Sequence, residues 1–192
     1  MSASREEIKS VLNCQSTLDR PLYMPAIYEH KAFFVDDTPS NVSRDADLLA
    51  RAVLAEYAAL EPDAITVGVD VYNLEAEAAG CTVSFYEGDD TSIPGISPGN
   101  HAVNPDEDLS QRPVPNPLAD GRMPINIAAT EQVVRELPLN EQDVMVEFDL
   151  AYSRLNEKRI EKVWLDLIFE APDMNQVIIR DLTFCRHRRA AL

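Results

Sequence analysis

The chain has 192 residues, a formal net charge of −16 and 26% charged residues, which suits one domain with a core or two small ones. Because so acidic a surface repels phosphates and anionic lipids, the charge argues against nucleic acids and membrane surfaces as partners. No apolar run approaches the about 20 residues that cross a bilayer, and the polar N-terminus lacks the apolar segment of a signal peptide, so the sequence predicts a cytoplasmic protein.

The cysteines give no sign of a metal or disulfide site. Cys14, Cys81 and Cys185 are widely spaced and form no Cys-x-x-Cys pair, which favours buried thiols. His187 lies close to Cys185, but without a second Cys/His cluster the pair cannot complete a tetrahedral zinc site. The sequence therefore predicts neither a metal ion nor a cofactor.

The first elements in the chain are a helix, a strand and a longer helix. Residues 3–13 have the spacing of a short amphipathic helix, and the apolar residues 22–27 follow a proline, as a first strand would. Thr38 and Ser43 are both candidate N-caps of the next helix. Its apolar residues recur at helical spacing as far as Leu60, which makes it the clearest helix in the chain.

A second strand–helix unit follows. Residues 64–69 form a continuous apolar run, and residues 73–79 read as a short helix that Gly80 ends. Uninterrupted apolar strands that alternate with helices favour parallel strands buried on both faces. Residues 81–86 are predicted as a short strand, and residues 87–124, with 7 of the 13 prolines, as a long loop.

The last third of the chain changes character. A helix is predicted over residues 125–137, and apolar residues then recur at period two over residues 144–152 and 163–169. A third strand is predicted over residues 177–185. Successive strands with short polar links are typical of an antiparallel meander with one face on a core.

The charge distribution also divides the chain near residue 130. Up to Ala129 there are 21 acidic and 8 basic residues, and from Thr130 onward there are 12 and 9. Together with the change of pattern, this predicts an α+β fold. A partial (β/α) barrel-like parallel unit would occupy residues 1–129, and a helix with a three-stranded antiparallel meander would occupy residues 130–192.

The ends of the predicted parallel strands are where chemistry is expected. Asp70 ends the second strand, and a partly desolvated carboxylate there suits proton transfer or a substrate N–H. The alternative is that Asp70 caps the helix that begins near Asn73. His30, after the first strand, is a candidate base or ligand, or else a packed or exposed histidine. Glu75 and Glu77, two residues apart, are read as a solvated helix surface.

Three motifs resemble a known family. Asp19-Arg-Pro21, ITVGVDVYNLEAEAAGCTV (65–83) and ADGRMPINIAA (119–129) are similar to the N-terminal part of the uroporphyrinogen decarboxylase superfamily, most closely the branch with corrinoid-dependent methyltransferases. The resemblance covers about residues 17–129. It implies a (β/α)₈ barrel family whose members decarboxylate tetrapyrroles or transfer methyl groups to a thiol cofactor.

The resemblance also implies a ligand and residues to bind it. The ligand would be a tetrapyrrole or a corrinoid. Asp70 falls near the aspartate that binds pyrrole N–H groups in the decarboxylases. The resemblance therefore favours Asp70 and His30 as candidate catalytic residues, and the substrate-binding residues would be Asp70, Tyr72, Asn73 and Glu75. The arginine motif of the decarboxylases should fall on residues 26–31, where this chain has no arginine.

The remainder of the chain has a different likeness. Residues 130–192 resemble the C-terminal end of an uncharacterised bacterial family of β-rich character. A (β/α)₈ barrel takes about 250 residues, and only about three strand–helix units fit before residue 138. The sequence thus predicts a truncated, hybrid chain of low or absent activity that forms homo-oligomers through open sheet edges. The alternative is a non-catalytic binding or interaction protein, or a gene fusion.

Overall fold

The computed structural model describes residues 5–15, 18–70, 73–102, 112–137, 145–156 and 159–170, the last two ranges as backbone. It combines helices with antiparallel strands, which agrees with the predicted α+β class. The elements in chain order are α1 (Arg5–Leu12), a 3₁₀ helix (Tyr28–Val35), α2 (Pro39–Val42), α3 (Ala46–Leu60), α4 (Leu74–Ala78), β1 (Val83–Ser84), β2 (Gly95–Ile96), α5 (Met123–Glu136), β3 (Met145–Asn156) and β4 (Arg159–Glu170).

The clearest predicted helix forms, but in two parts. Thr38 caps α2 by accepting a hydrogen bond from the Asn41 backbone N–H at 3.3 Å. Asp45 caps α3 in the same way, through the Leu48 N–H at 2.9 Å. The candidate cap Ser43 ends α2 instead of starting a helix, because the chain needs an extended residue before α3, and Asp45 supplies it together with the capping carboxylate.

The core lies between α3, α5 and the 3₁₀ helix. Leu49 and Val53 of α3, Ala129 and Val133 of α5, and Ala32 of the 3₁₀ helix are all fully or almost fully buried. The α5 helix corresponds to the helix predicted over residues 125–137. It runs unbroken across the predicted junction between Ala129 and Thr130.

The first predicted strand, residues 22–27, is irregular and leads into the 3₁₀ helix. Asp63 holds its backbone from both sides. The Asp63 carboxylate accepts from the Tyr23 N–H at 2.8 Å, and the Asp63 N–H donates to the Tyr23 carbonyl at 2.8 Å. Arg20 clamps the same carboxylate with two hydrogen bonds of 2.5 and 2.6 Å. The side chain and the backbone of Asp63 thus satisfy the two Tyr23 backbone groups that a strand would pair with a neighbouring strand.

The second predicted strand, residues 64–69, is also irregular. Ala64 and Thr66 are exposed, and burial is reached only at the end, at Gly68 and Val69. The Thr66 carbonyl accepts a hydrogen bond from the Lys31 ammonium at 2.6 Å instead of a ladder N–H. The prediction of parallel strands was therefore wrong for both segments, because an apolar run becomes a strand only beside another strand.

A small antiparallel pair lies farther along the chain. β1 falls inside the strand predicted over residues 81–86 and pairs with β2, with Val83 opposite Ile96. β2 belongs to the segment 87–124 that was predicted as a loop. The proline-rich composition of this segment therefore gave no sign of the two residues that pair with β1.

β3 and β4 form a hairpin in which Leu150 lies opposite Leu165 and Tyr152 opposite Val163. This confirms two of the three predicted antiparallel strands. The third predicted strand, residues 177–185, lies outside the described residues, and so do Cys185 and His187.

Candidate functional site

Asp70 lies at the end of the irregular segment that precedes α4. Its backbone is left-handed, with φ of 61°, and its side chain is 1% exposed. Asn73, not Asp70, is the N-cap residue of α4, and its side chain makes no capping hydrogen bond. The expectation that Asp70 is a helix cap is therefore wrong, and its carboxylate has other partners.

Among the residues that the structure describes, two side chains hold the Asp70 carboxylate and a third holds its backbone. Arg122 Nη2 donates to Asp70 Oδ2 at 2.6 Å, and Asn73 Nδ2 donates to Asp70 Oδ1. The Asp70 N–H donates to Glu29 Oε1 at 3.2 Å. Asn73 Nδ2 also lies 3.0 Å from the Pro94 carbonyl, which ties the site to the residues before β2.

Arg122 bridges two carboxylates. It immediately precedes α5, and its side chain is 6% exposed. Besides Asp70, it donates from Nε to Glu77 Oε2 at 2.5 Å and from Nη1 to the Ser43 carbonyl at 3.5 Å. A guanidinium carries its donors in a rigid planar fork, so both carboxylates are fixed relative to one plane.

The approach of α5 to α4 depends on Gly121. Its φ is +53°, and a Cβ there would lie 2.8 Å from the Ala78 backbone nitrogen. Only glycine allows the two backbones to come this close. The DGRMP and EAEAAG motifs are therefore in direct contact, with Arg122 reaching Glu77 beside this crossing.

Opposing effects act on the pKa of the Asp70 carboxyl. Burial raises the pKa of the Asp70 carboxyl above its ordinary value of 3.8, and the hydrogen bonds from Asn73 and Arg122 oppose that rise. The nearby charge of Glu29 adds to it. Loss of either hydrogen-bond donor would therefore favour the protonated form.

A second arginine packs against the same aromatic ring as Arg122. The guanidinium carbons of Arg44 and Arg122 lie 4.8 and 4.9 Å from the centroid of the Phe85 ring. The Arg44 side chain is 36% exposed, and its Nη1 lies 3.5 Å from Glu87, whose side chain is 83% exposed. Arg44 is thus the more accessible cation of this region.

The other predicted site residues differ in exposure and in their contacts. His30 is exposed, and its ring lies 5.0 Å from that of Phe33. Its neighbour Glu29, which the sequence reading did not select, makes the contact with Asp70 instead. Glu75 is half-buried on α4, and Tyr72 lies outside the described residues.

A second buried charge pair joins the 3₁₀ helix to α3. Lys31 Nζ lies 3.4 Å from Glu56 Oε2, and both side chains are at most 1% exposed. Neither Glu56 oxygen accepts a hydrogen bond from any residue that the structure describes, so the contact is an ion pair without hydrogen-bond geometry. Burial lowers the pKa of Lys31, and the charge of Glu56 opposes this.

The described residues contain neither a metal-binding cluster nor a membrane-spanning helix. No group of three or more His, Cys, Asp or Glu side chains there is placed to hold a metal ion. Among the helices of this described part, none has the length and apolar character to cross a membrane.

Comparison with protein families gives two matches. Residues 4–146 match the uroporphyrinogen decarboxylase (URO-D) family, and residues 122–192 match a family of unknown function (DUF6478). Both matches agree with the resemblances found in the sequence, and they overlap over α5. No curated protein and no solved structure matches the chain.

Proposed function

Because the chain belongs to the uroporphyrinogen decarboxylase family, we propose that it binds a tetrapyrrole whose pyrrole N–H groups donate to the Asp70 carboxylate. The observation that carries this proposal is that one arginine joins the family's two motifs to a single buried carboxylate. Arg122 of DGRMP contacts Asp70 at 2.6 Å and Glu77 of EAEAAG at 2.5 Å.

The acceptor capacity of Asp70 supports the proposal. An ionised carboxylate has about four acceptor positions, and among the described residues Arg122 and Asn73 occupy one on each oxygen. The remaining positions suit the closely spaced N–H donors of a tetrapyrrole. A corrinoid, whose ring nitrogens bind cobalt, offers no such donors, so we favour the tetrapyrrole.

The backbone of Asp70 supports a role beyond packing. Residues held in sparsely populated conformations cost of order 1–3 kcal/mol and cluster at ligand sites. Asp70 combines such a conformation, with φ of 61°, with burial of a carboxylate. A position that served packing alone would be filled more stably by an apolar residue.

Arg44 is the residue we propose for the acidic substituents of the ligand. Within residues 26–31, Lys31 is buried against Glu56 and cannot reach a ligand. Arg44 is partly exposed and shares the Phe85 ring with Arg122. Its long contact with the exposed Glu87 is one that a ligand carboxylate could replace.

We propose that this chain binds a tetrapyrrole. Decarboxylation is a separate activity, to be measured separately from binding. The Asp70 side chain is 1% exposed, so a ligand must first displace groups around it, among them Asn73, which bonds both Asp70 and the Pro94 carbonyl. Any turnover would therefore follow an opening step in this part of the molecule.

The test is a fluorescence titration with coproporphyrin, which carries both pyrrole N–H groups and carboxylates. We expect Asp70→Asn to weaken binding tenfold to a hundredfold, because a hydrogen bond to a charged group contributes about 1.5–3 kcal/mol. The matched control is Asp63→Asn, which alters another aspartate with 1% side-chain exposure paired with an arginine. Equal affinities for wild type and Asp70→Asn would refute the proposal.

The second candidate is a non-catalytic interaction protein or a fusion of two families. The overlap of the two family matches over residues 122–146 favours it, as does the pairing of each Asp70 carboxylate oxygen with a side chain of this chain. Under this alternative Asp70→Asn and Asp63→Asn both lower the stability, and neither changes coproporphyrin affinity.

A further inference from the structure

We infer that Arg122 is the positioning residue of this site: its guanidinium, held between Asp70 and Glu77, fixes the Asp70 carboxylate as an anionic hydrogen-bond acceptor. This rests on the proposed function for its role in binding, but the geometry that supports it is independent of any ligand.

The direction of the guanidinium is set by several contacts. Nε donates to Glu77 at 2.5 Å, Nη2 to Asp70 at 2.6 Å, and Nη1 to the Ser43 carbonyl at 3.5 Å. The Phe85 ring, 4.9 Å from Cζ, supports the guanidinium through a cation–π contact. Because each nitrogen has a different partner, the plane cannot rotate without breaking a hydrogen bond.

Glu77 makes Arg122 a shared cation. Its side chain is 22% exposed, whereas that of Asp70 is 1% exposed. Two carboxylates on one guanidinium leave a net negative charge, which limits how strongly Arg122 can hold Asp70 ionised. Glu77 therefore orients the arginine and at the same time weakens its effect on Asp70.

The groups that face Asp70 come from three elements. Glu29 of the 3₁₀ helix and Glu77 of α4 are acidic, and Arg122 before α5 is basic. Asn73 donates a neutral hydrogen bond. Arg122 is thus the cation in contact with Asp70 among the described residues, and its removal should change the protonation of Asp70 more than removal of any other neighbour.

The test is a carboxyl ¹³C NMR titration of the full chain, without ligand, with the Asp70 signal assigned from Asp70→Asn. We expect Arg122→Gln to raise the pKa of Asp70 by about 1 unit or more, because an adjacent arginine lowers a carboxyl pKa by 1–3 units. We expect Glu77→Gln to lower it, since one negative charge is removed and the arginine keeps one carboxylate. Glu131→Gln, at an exposed position of α5, is the control and should leave it unchanged.

A structural role alone predicts lower stability with no change in this pKa. The same Asp70 midpoint in wild type and Glu77→Gln would overturn the inference, and it would do so even if Arg122→Gln failed to fold. Coproporphyrin affinity should fall as the pH drops through the pKa of Asp70, because a protonated carboxyl loses acceptor positions. Failure of coproporphyrin to bind at any pH would refute the proposed function, while the NMR shifts would still decide the role of Arg122.

Discussion

At Gly121 the loop before α5 comes close to the backbone of α4. Alanine there would place its Cβ 2.8 Å from the Ala78 nitrogen and would keep a φ of +53°. We expect Gly121→Ala to lower the free energy of unfolding by about 2 kcal/mol or more, from the left-handed backbone and the overlap together. Urea denaturation measures this change.

Gly88→Ala is the matched control for that prediction. Gly88 also has a positive φ, of +67°, but a Cβ there meets nothing within 4 Å. Its substitution should cost about 1–2 kcal/mol, from the backbone conformation alone. Equal losses for the two variants would contradict the close approach of α5 to α4.

At the same scale, the sequence located Asp70 but not its environment. The run that ends in a carboxylate marked Asp70, because a charge after an apolar segment stands out in any sequence. Glu29 and Arg122 lie 41 and 52 residues from Asp70, so no local spacing connects them to it. Arg122 could be found only through the DGRMP motif, and no pattern in the sequence pointed to Glu29.

At the scale of elements, the ion pair of Lys31 and Glu56 fixes the 3₁₀ helix against α3. We expect Lys31→Met to destabilise the protein by about 3–5 kcal/mol, because it leaves the carboxylate of Glu56 buried without a cation. The double variant Lys31→Met/Glu56→Leu should recover most of that loss, since it removes both charges. Thermal and urea unfolding of the three proteins measure the difference.

A double variant no more stable than Lys31→Met would show that the pair is not the reason for the loss. The comparison depends on the complete burial of both side chains, since exposed pairs contribute little. Arg44 and Glu87, 3.5 Å apart at the surface, provide the exposed counterpart, and Glu87→Gln should change stability by less than about 1 kcal/mol.

Helices were easier to predict than strands in this chain. Helical periodicity and caps are local, so α3 and α5 were found close to their observed bounds. The two apolar runs at residues 22–27 and 64–69 lacked a strand partner, and side chains of Asp63 and Lys31 took over their backbone groups. Such long-range side-chain bonds leave no pattern within the runs themselves.

At the scale of the whole molecule, the hairpin of β3 and β4 has one apolar face. The register places Val146, Phe148, Leu150 and Tyr152 opposite Phe169, Leu167, Leu165 and Val163. These eight positions share one face of the ladder. Because a two-stranded sheet cannot cover its own face, and no further strand among the described residues pairs with either edge, we predict that the full chain self-associates through this hairpin.

Light scattering after gel filtration tests that prediction over a range of protein concentrations. Leu150→Lys places a charge on the apolar face and should shift the mass toward the monomer. Asp149→Lys changes the other face, where Asp149 lies opposite Asp166. It should preserve association and stabilise the hairpin by about 0.2–1 kcal/mol, because it replaces a like-charge pair with an attractive one.

A wild-type mass equal to the monomer at every concentration would contradict association. Equal effects of the two variants would contradict the assignment of faces, since that assignment depends on the register alone.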